Sequence, residues 1–246
     1  MFVQVSSGVY RLSGGVVNFY LIEDGGKFTL VDAGAPRDWR LLQRSLASLG
    51  ARLTDLDAVL LTHAHSDHVG VAERARTQAG ARVWIHADDV EGARTGKVIG
   101  GRDGKATSYL LRTEFYRTFV SLTRRGAARM IPIARVSAFL DGGTIDVPGS
   151  PRAVHVPGHT KGNAVIFLQD RGVLLTGDAL ATRNPLTGRP GPQICPDGLN
   201  MDSSQAMASL DHLRGIAADT LLPGHGDPWT QGVTEAIRLA RAAGRS

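Results

Sequence analysis

The run Thr62-His63-Ala64-His65-Ser66-Asp67-His68 packs three imidazoles and a carboxylate into six consecutive positions, directly after the apolar stretch Ala58-Val59-Leu60-Leu61. Imidazole nitrogen and carboxylate oxygen are the usual ligands of zinc and other borderline divalent metals. In an extended segment alternate side chains share a face, so His63 and His65 point the same way as the strand ends. A turn then carries Asp67 and His68 to a neighbouring point. Four such groups in one turn would repel or desolvate one another in a core that held no metal. A solvated histidine-rich loop is the other reading of such a run. The buried-type strand before it and the apolar helix expected over 69–79 argue against that reading.

Three later segments supply further groups of the same chemistry, each where an extended run meets a loop. Val154-His155-Val156-Pro157-Gly158-His159 ends in His159, Val173-Leu174-Leu175-Thr176-Gly177-Asp178 ends in Asp178, and Leu221-Leu222-Pro223-Gly224-His225 ends in His225. Glycine before each polar residue permits a sharp turn and a close backbone approach. A His or Asp after Gly is common in turns and means little alone. Together with the first run these segments make a set of seven metal-ligand types at strand ends.

The elements that must position this set are legible from periodicity. Short β-type runs are expected at 8–12, 16–22 and Lys27–Val31, with Asp24-Gly25-Gly26 as a hairpin turn. Leu41, Leu42, Leu46 and Leu49 share one face of a helix over 38–49 that stops at Gly50. Residues 57–61 form the strand that delivers the histidine run, and 82–85 form another. The second half repeats the theme, with strands at 144–147, 153–156, Ala164–Leu168 and 173–176 and helices at 203–216 and 230–242. Strands followed by helices, twice, predict an α/β (α+β) fold in which two sheets pack face to face with helices outside.

Two segments break the pattern. Residues 107–129 read as a helix bearing Tyr109, Phe115, Tyr116, Phe119 and Leu122 together with Arg112, Arg117, Arg124 and Arg125. It is either a pocket lid or a core-facing helix. Residues 181–202, rich in Gly and Pro, read as a long loop without structure of its own that forms another pocket wall.

At 246 residues, with a net charge of +5 and a single cysteine, the chain is long enough to bury a full core and has no intrachain disulfide. Its mild basic excess suits a solvated surface or an anionic substrate better than nucleic acid. No apolar stretch approaches membrane-spanning length and no signal-like segment opens the chain, so a cytoplasmic location is expected.

The pattern His63-x-His65-x-Asp67-His68, followed by His159, Asp178 and His225, resembles the metallo-β-lactamase superfamily. The likeness runs from Val31-Asp32-Ala33-Gly34 to Pro223-Gly224-His225-Gly226. It implies one domain over 1–246, a four-layer αββα sandwich of two mixed sheets with outer helices, with a helical insertion at about 103–135. It also implies two divalent metal ions, zinc first, with iron or manganese as alternatives. His63, His65 and His159 would hold the first ion, Asp67, His68 and His225 the second, and Asp178 would bridge both. The Asp67-His68 pair is closer to glyoxalase II-like hydrolases than to lactamases, which often use a Cys ligand; Cys195 lies outside the matching positions.

Such a pair of ions can share a hydroxide and polarise a carbonyl, with Asp67 and Asp178 serving the reaction directly. The expected activity is hydrolysis of an ester, thioester, lactone or amide in a small molecule carrying an apolar group and negative charge. A mono-iron persulfide dioxygenase and a metal-dependent nuclease are the alternatives within the same resemblance. Asp32 is a candidate to orient an imidazole or, equally, a turn cap; Thr62 and Thr160 are weaker candidates. His86, His155 and His212 do not match the ligand pattern and read as ordinary polar residues.

Overall fold

A computed structural model of the chain describes residues 1–97 and 109–246. Positions 103–108 of the expected insertion therefore lie outside the described residues. The described strands are β1 (Phe2–Ser6), β2 (Val9–Ser13), β3 (Asn18–Asp24), β4 (Lys27–Val31), β5 (Leu56–Leu60), β6 (Arg82–His86), β7 (Ser137–Phe139), β8 (Arg152–His155), β9 (Ala164–Leu168), β10 (Val173–Gly177), β11 (Ala181–Arg183), β12 (Pro190–Gln193) and β13 (Thr220–Pro223). The α-helices are α1 (Trp39–Ser48), α2 (Ala72–Gln78), α3 (Val90–Thr95), α4 (Thr113–Arg124), α5 (Ser203–Ser209) and α6 (Gly232–Ala243).

Strands β1 to β7 form one seven-stranded sheet in chain order, and β13-β10-β9-β8 form a four-stranded sheet. Both are mixed. The larger is antiparallel from β1 to β4 and parallel from β4 to β7. The smaller pairs β13 with β10 in parallel and is otherwise antiparallel.

Side-chain alternation sorts the apolar residues into three layers. Ala58 and Leu60 of β5 join Ile166 and Leu168 of β9 and Leu175 of β10 in the cluster between the sheets. Val59 and Leu61 face the other way, into a cluster with Trp39, Leu42 and Leu46 of α1 and Ala72 and Ala75 of α2. Val165 and Phe167 of β9 pack beneath Ala206 of α5 and Ile237 of α6. This is the αββα sandwich expected from the sequence.

Several local expectations need correction. Residues 144–147 make only an isolated bridge, Thr144 to Arg152, instead of a strand. Ile145 and Val147 still point into the inter-sheet core, so the alternation is real and the ladder is missing. The 181–202 segment contains its own two-stranded ribbon, β11 with β12. The helix expected over 69–79 starts only at Ala72, because the residues before it are taken up by the turn that carries the histidine run. The helix expected over 203–216 is α5 followed by a 3-10 turn, Leu210–Leu213. Among the described residues no helix is long and apolar enough to cross a membrane.

Candidate metal centre

Every residue singled out for metal chemistry sits just beyond a strand. The four of the 63–68 run follow β5, His159 follows β8, Asp178 follows β10 and His225 follows β13. The two sheets meet at this edge through backbone bonds, Ala164 N–H to the Thr62 carbonyl (2.9 Å) and Asn18 N–H to the Gly224 carbonyl (2.8 Å). Glycine is required where these loops crowd. A Cβ on Gly224 would overlap the Asp178 carboxylate and come within 2.7 Å of the His68 ring.

The seven side chains converge, with the Asp178 carboxylate at the middle. Its Oδ2 lies 3.3 Å from Nε2 of His159, 3.3 Å from Nε2 of His225 and 4.0 Å from Nε2 of His63. Its Oδ1 lies 3.4 Å from Nε2 of His68. Asp67 Oδ2 is 3.8 Å from His225 Nε2 and 3.9 Å from His68 Nε2. His65 Nδ1 faces His159 Nε2 at 2.9 Å. Donor atoms of His63, His65 and His159 lie within 4.8 Å of one another, as do those of Asp67, His68 and His225 and those of His63, His68 and Asp178.

Four imidazoles are held in one tautomer from behind, as ligating imidazoles commonly are. His68 Nδ1–H donates to Asp32 at 2.9 Å and His225 Nδ1–H to the Val16 carbonyl at 2.7 Å. His159 Nδ1–H donates to Asn200 Oδ1 at 3.0 Å. Thr62 spends its hydroxyl proton on Asp32 and so accepts from His63 Nδ1–H at 3.0 Å. Each bond leaves Nε2 turned toward Asp178. Asp32 therefore orients an imidazole, and it does so from a left-handed backbone conformation, φ 56°.

The electrostatics separate the imidazoles into two kinds. Burial, reinforced by His68, His159 and His65, holds His63 well below the ordinary imidazole range. His159 falls to about 3 through burial and the neighbouring His65. Burial also opposes charge on His68, but Asp178, Asp32 and Asp67 outweigh it and lift His68 to about 10. His225 is raised in the same way, Asp178 overcoming burial. Burial would raise Asp178, yet His225 and His68 hold it well below the carboxylate range, so it is ionised.

Nε2 of His63, His65 and His68 and Oδ1 of Asp178 are buried without a hydrogen-bond partner. Buried polar atoms are rarely left so, because each forfeits its hydration. Two of these nitrogens, Nε2 of His63 and of His68, flank the Asp178 carboxylate, and such a nitrogen and oxygen donor set fits a borderline divalent cation such as zinc.

Two residues escaped the sequence reading, and a third was set aside by it. Buried Asp89, just past β6, accepts from Ala64 N–H (2.9 Å), Thr160 Oγ1 (2.7 Å) and Gly162 N–H (2.8 Å), clamping the first histidine loop to the loop of His159. Asn200 also donates to the Cys195 carbonyl at 2.7 Å. Cys195, which the sequence places outside the matching positions, brings its sulfur together with His159 and Asp178. Burial, with Asp178 adding to it, pushes this thiol well above its ordinary range, so it is neutral. His86 and His155 lie in a separate group with Asp88, their rings stacked at 4.1 Å. His155 Nε2 is committed to the Lys161 carbonyl, and His212 bonds the His155 carbonyl.

A cavity of about 320 Å³ opens over the cluster, with His65, Asp67, His159, Asp178 and His225 in its lining and Phe115, Phe119, Leu122, Leu186 and Leu199 as apolar walls. Helix α4 is thus a pocket wall. Thr118 is its one buried residue, and the hydroxyl bonds the Pro185 carbonyl at 2.6 Å. Tyr116 is on the outer side and is not part of this lining.

A model of the metallo-beta-lactamase superfamily matches residues 12–225. The chain belongs to that superfamily. It is 25% identical over 236 residues to the probable metallo-hydrolase YflN of Bacillus subtilis, covering 92% of this chain and 87% of YflN. It is 30% identical over 182 residues to the uncharacterised protein Rv2581c of Mycobacterium tuberculosis, covering 71% of each. Among solved structures, the superfamily protein TTHA1429 of Thermus thermophilus superposes with a TM-score of 0.69 at 27% identity, over 98% of this chain and 80% of that one.

Proposed function

We propose that this chain is a dinuclear metal-dependent hydrolase of small molecules, cleaving an ester, thioester, lactone or amide bond. Superfamily membership and the likeness to a probable metallo-hydrolase support the metal-dependent hydrolase reading. The observation that carries the finer reading is the position of Asp178, whose carboxylate lies 3.3–4.0 Å from Nε2 of four histidines. In this reading His63, His65 and His159 would hold one ion, Asp67, His68 and His225 would hold the other, and Asp178 would serve both. Two divalent ions, zinc first, would supply a water of lowered pKa and Lewis acidity toward the carbonyl.

The chain's own residues do the rest. Asp32, Thr62, Asn200 and the Val16 carbonyl fix the imidazoles before anything binds, so no reorganisation is needed at the moment of reaction. Asp67, partly exposed in the cavity, is placed to accept a proton from the attacking water and orient it. Phe115, Phe119 and Leu122 take the apolar part of the substrate and exclude bulk water from the scissile bond. The presence of the second set, Asp67, His68 and His225, beside the first favours this reading over a mono-iron oxygenase.

The test is metal analysis of untagged protein followed by a panel of aryl esters, thioesters and lactones. Two equivalents of metal and turnover that a chelator abolishes are expected. A metal-replete protein that cleaves none of the panel would sink the proposal.

A further inference from the structure

A second cavity of about 330 Å³ adjoins the one over the metal cluster and shares Thr118, Pro185 and His225 with it. The two differ in chemistry. The first is walled by aromatic and aliphatic side chains, whereas the second is lined by the guanidiniums of Arg11, Arg117 and Arg183 and the carboxylates of Glu114 and Asp227. Asp227 is taken by Arg11 at 2.9 Å. Glu114 is shared between Arg183 at 3.1 Å and Arg117 at 3.7 Å. One carboxylate cannot neutralise two guanidiniums, so this wall keeps an excess positive charge and free N–H donors. Guanidinium is also the side chain best matched to a planar carboxylate, which it binds through paired N–H groups.

Resting on the hydrolase reading above, we propose that this second cavity binds the carboxylate end of the substrate. The molecule cleaved then has an apolar group on one side of the scissile bond, seated against Phe115 and Phe119, and a carboxylate on the other, seated at Arg117 and Arg183. His225, common to both cavities, marks where the bond lies. Hydrolysis adds water across that bond: hydroxide goes to the acyl carbon, and the proton goes to the departing oxygen. The products leave from opposite sides of the Thr118–Pro185 contact. Glu114 holds the two arginines together until the substrate carboxylate competes for them.

The experiment compares monophenyl esters of adipic and suberic acid with phenyl hexanoate and phenyl octanoate, which have the same acyl lengths without the carboxylate. At low salt kcat/KM for at least one anionic ester should exceed that of its neutral partner about tenfold, as a charge-assisted contact allows. R117A and R183A should each collapse that ratio, E114Q should raise it, and added salt should lower it. A wild-type ratio near one at both lengths, or a ratio that the arginine variants leave intact, would overturn the proposal. If neither class of ester is cleaved, the hydrolase reading is judged separately, by the wider panel of thioesters and lactones above. Calorimetric binding of adipic acid monoanilide against hexananilide then decides the subsite by the same ratio, with R117A as the control.

Discussion

Asp32 and His68 are joined by a 2.9 Å bond from Nδ1–H to the carboxylate, although Asp32 must adopt φ 56° to make it. The left-handed region is unfavourable for most residues with a Cβ, and Asp and Asn are among the few that visit it. The strain therefore aims the carboxylate at one imidazole. Asp32→Asn keeps the backbone preference and removes the charge; Asp32→Ala removes both. Metal affinity should fall by roughly 10–100-fold, the usual loss for an outer partner, and further for Ala. Metal titration of both variants checks this, and unchanged affinity in Asp32→Ala would refute the orienting role.

Asp178→Ala should lower metal occupancy and reduce turnover more than about a hundredfold, beyond the loss expected for an outer partner. The sheets carry the core, so the variant should remain folded. Circular dichroism and metal analysis separate the two effects, and near wild-type hydrolysis would rule out a bridging role.

Metal binding should release a proton. In the metal-free chain His68 titrates at about 10, so at neutral pH it is protonated, and a ligand imidazole must be neutral. His63 and His159 are already neutral and release none. Affinity should therefore rise with pH, about tenfold per unit for each proton displaced, until the pH passes the His68 pKa. Calorimetry in buffers of different ionisation enthalpy counts the proton. Binding without any release would contradict the assignment of His68.

Asp89→Ala should destabilise the metal-free protein by about 3 kcal/mol, because it strips the acceptor from three donors in two loops. Urea unfolding of the metal-free protein measures it. A loss below about 1 kcal/mol would mean that water replaces the carboxylate.

Phe119→Ala should raise KM for esters with long apolar groups more than for short ones and leave the melting temperature nearly unchanged. The side chain is 59% exposed, and α4 buries only Thr118. Tyr116→Ala, on the outer side, should change neither. A drop in melting temperature as the only defect of Phe119→Ala would mark it as a packing residue.

The seven metal-ligand types stood out in the sequence because each follows an apolar run that ends in a turn, with glycine directly before His159, Asp178 and His225, and the layered fold was legible from the order of strands and helices. Asp32 was visible for the same reason, though only the structure distinguishes an imidazole partner from a turn cap. Asp89 was not legible: its partner Thr160 lies 71 positions away, and an Asp after a strand usually caps a turn. Asn200 and Cys195 were hidden in a Gly- and Pro-rich stretch whose ribbon, β11 with β12, has too few residues to show alternation. Thr144 to Val147 erred in the other direction. Burial alternates there, but hydrogen bonding to a neighbour, which alternation does not report, is confined to one bridge.

The order of the ligand-bearing loops along the chain has a consequence for biogenesis. His63 is made early and His225 late, and the Asp89 clamp cannot close until Thr160 and Gly162 exist. The first sheet ends at Phe139 and carries four of the seven clustered side chains, so the cluster needs His159, Asp178 and His225 from the rest of the chain. A closed cluster is thus a record that both halves of the polypeptide have been synthesised and have found each other.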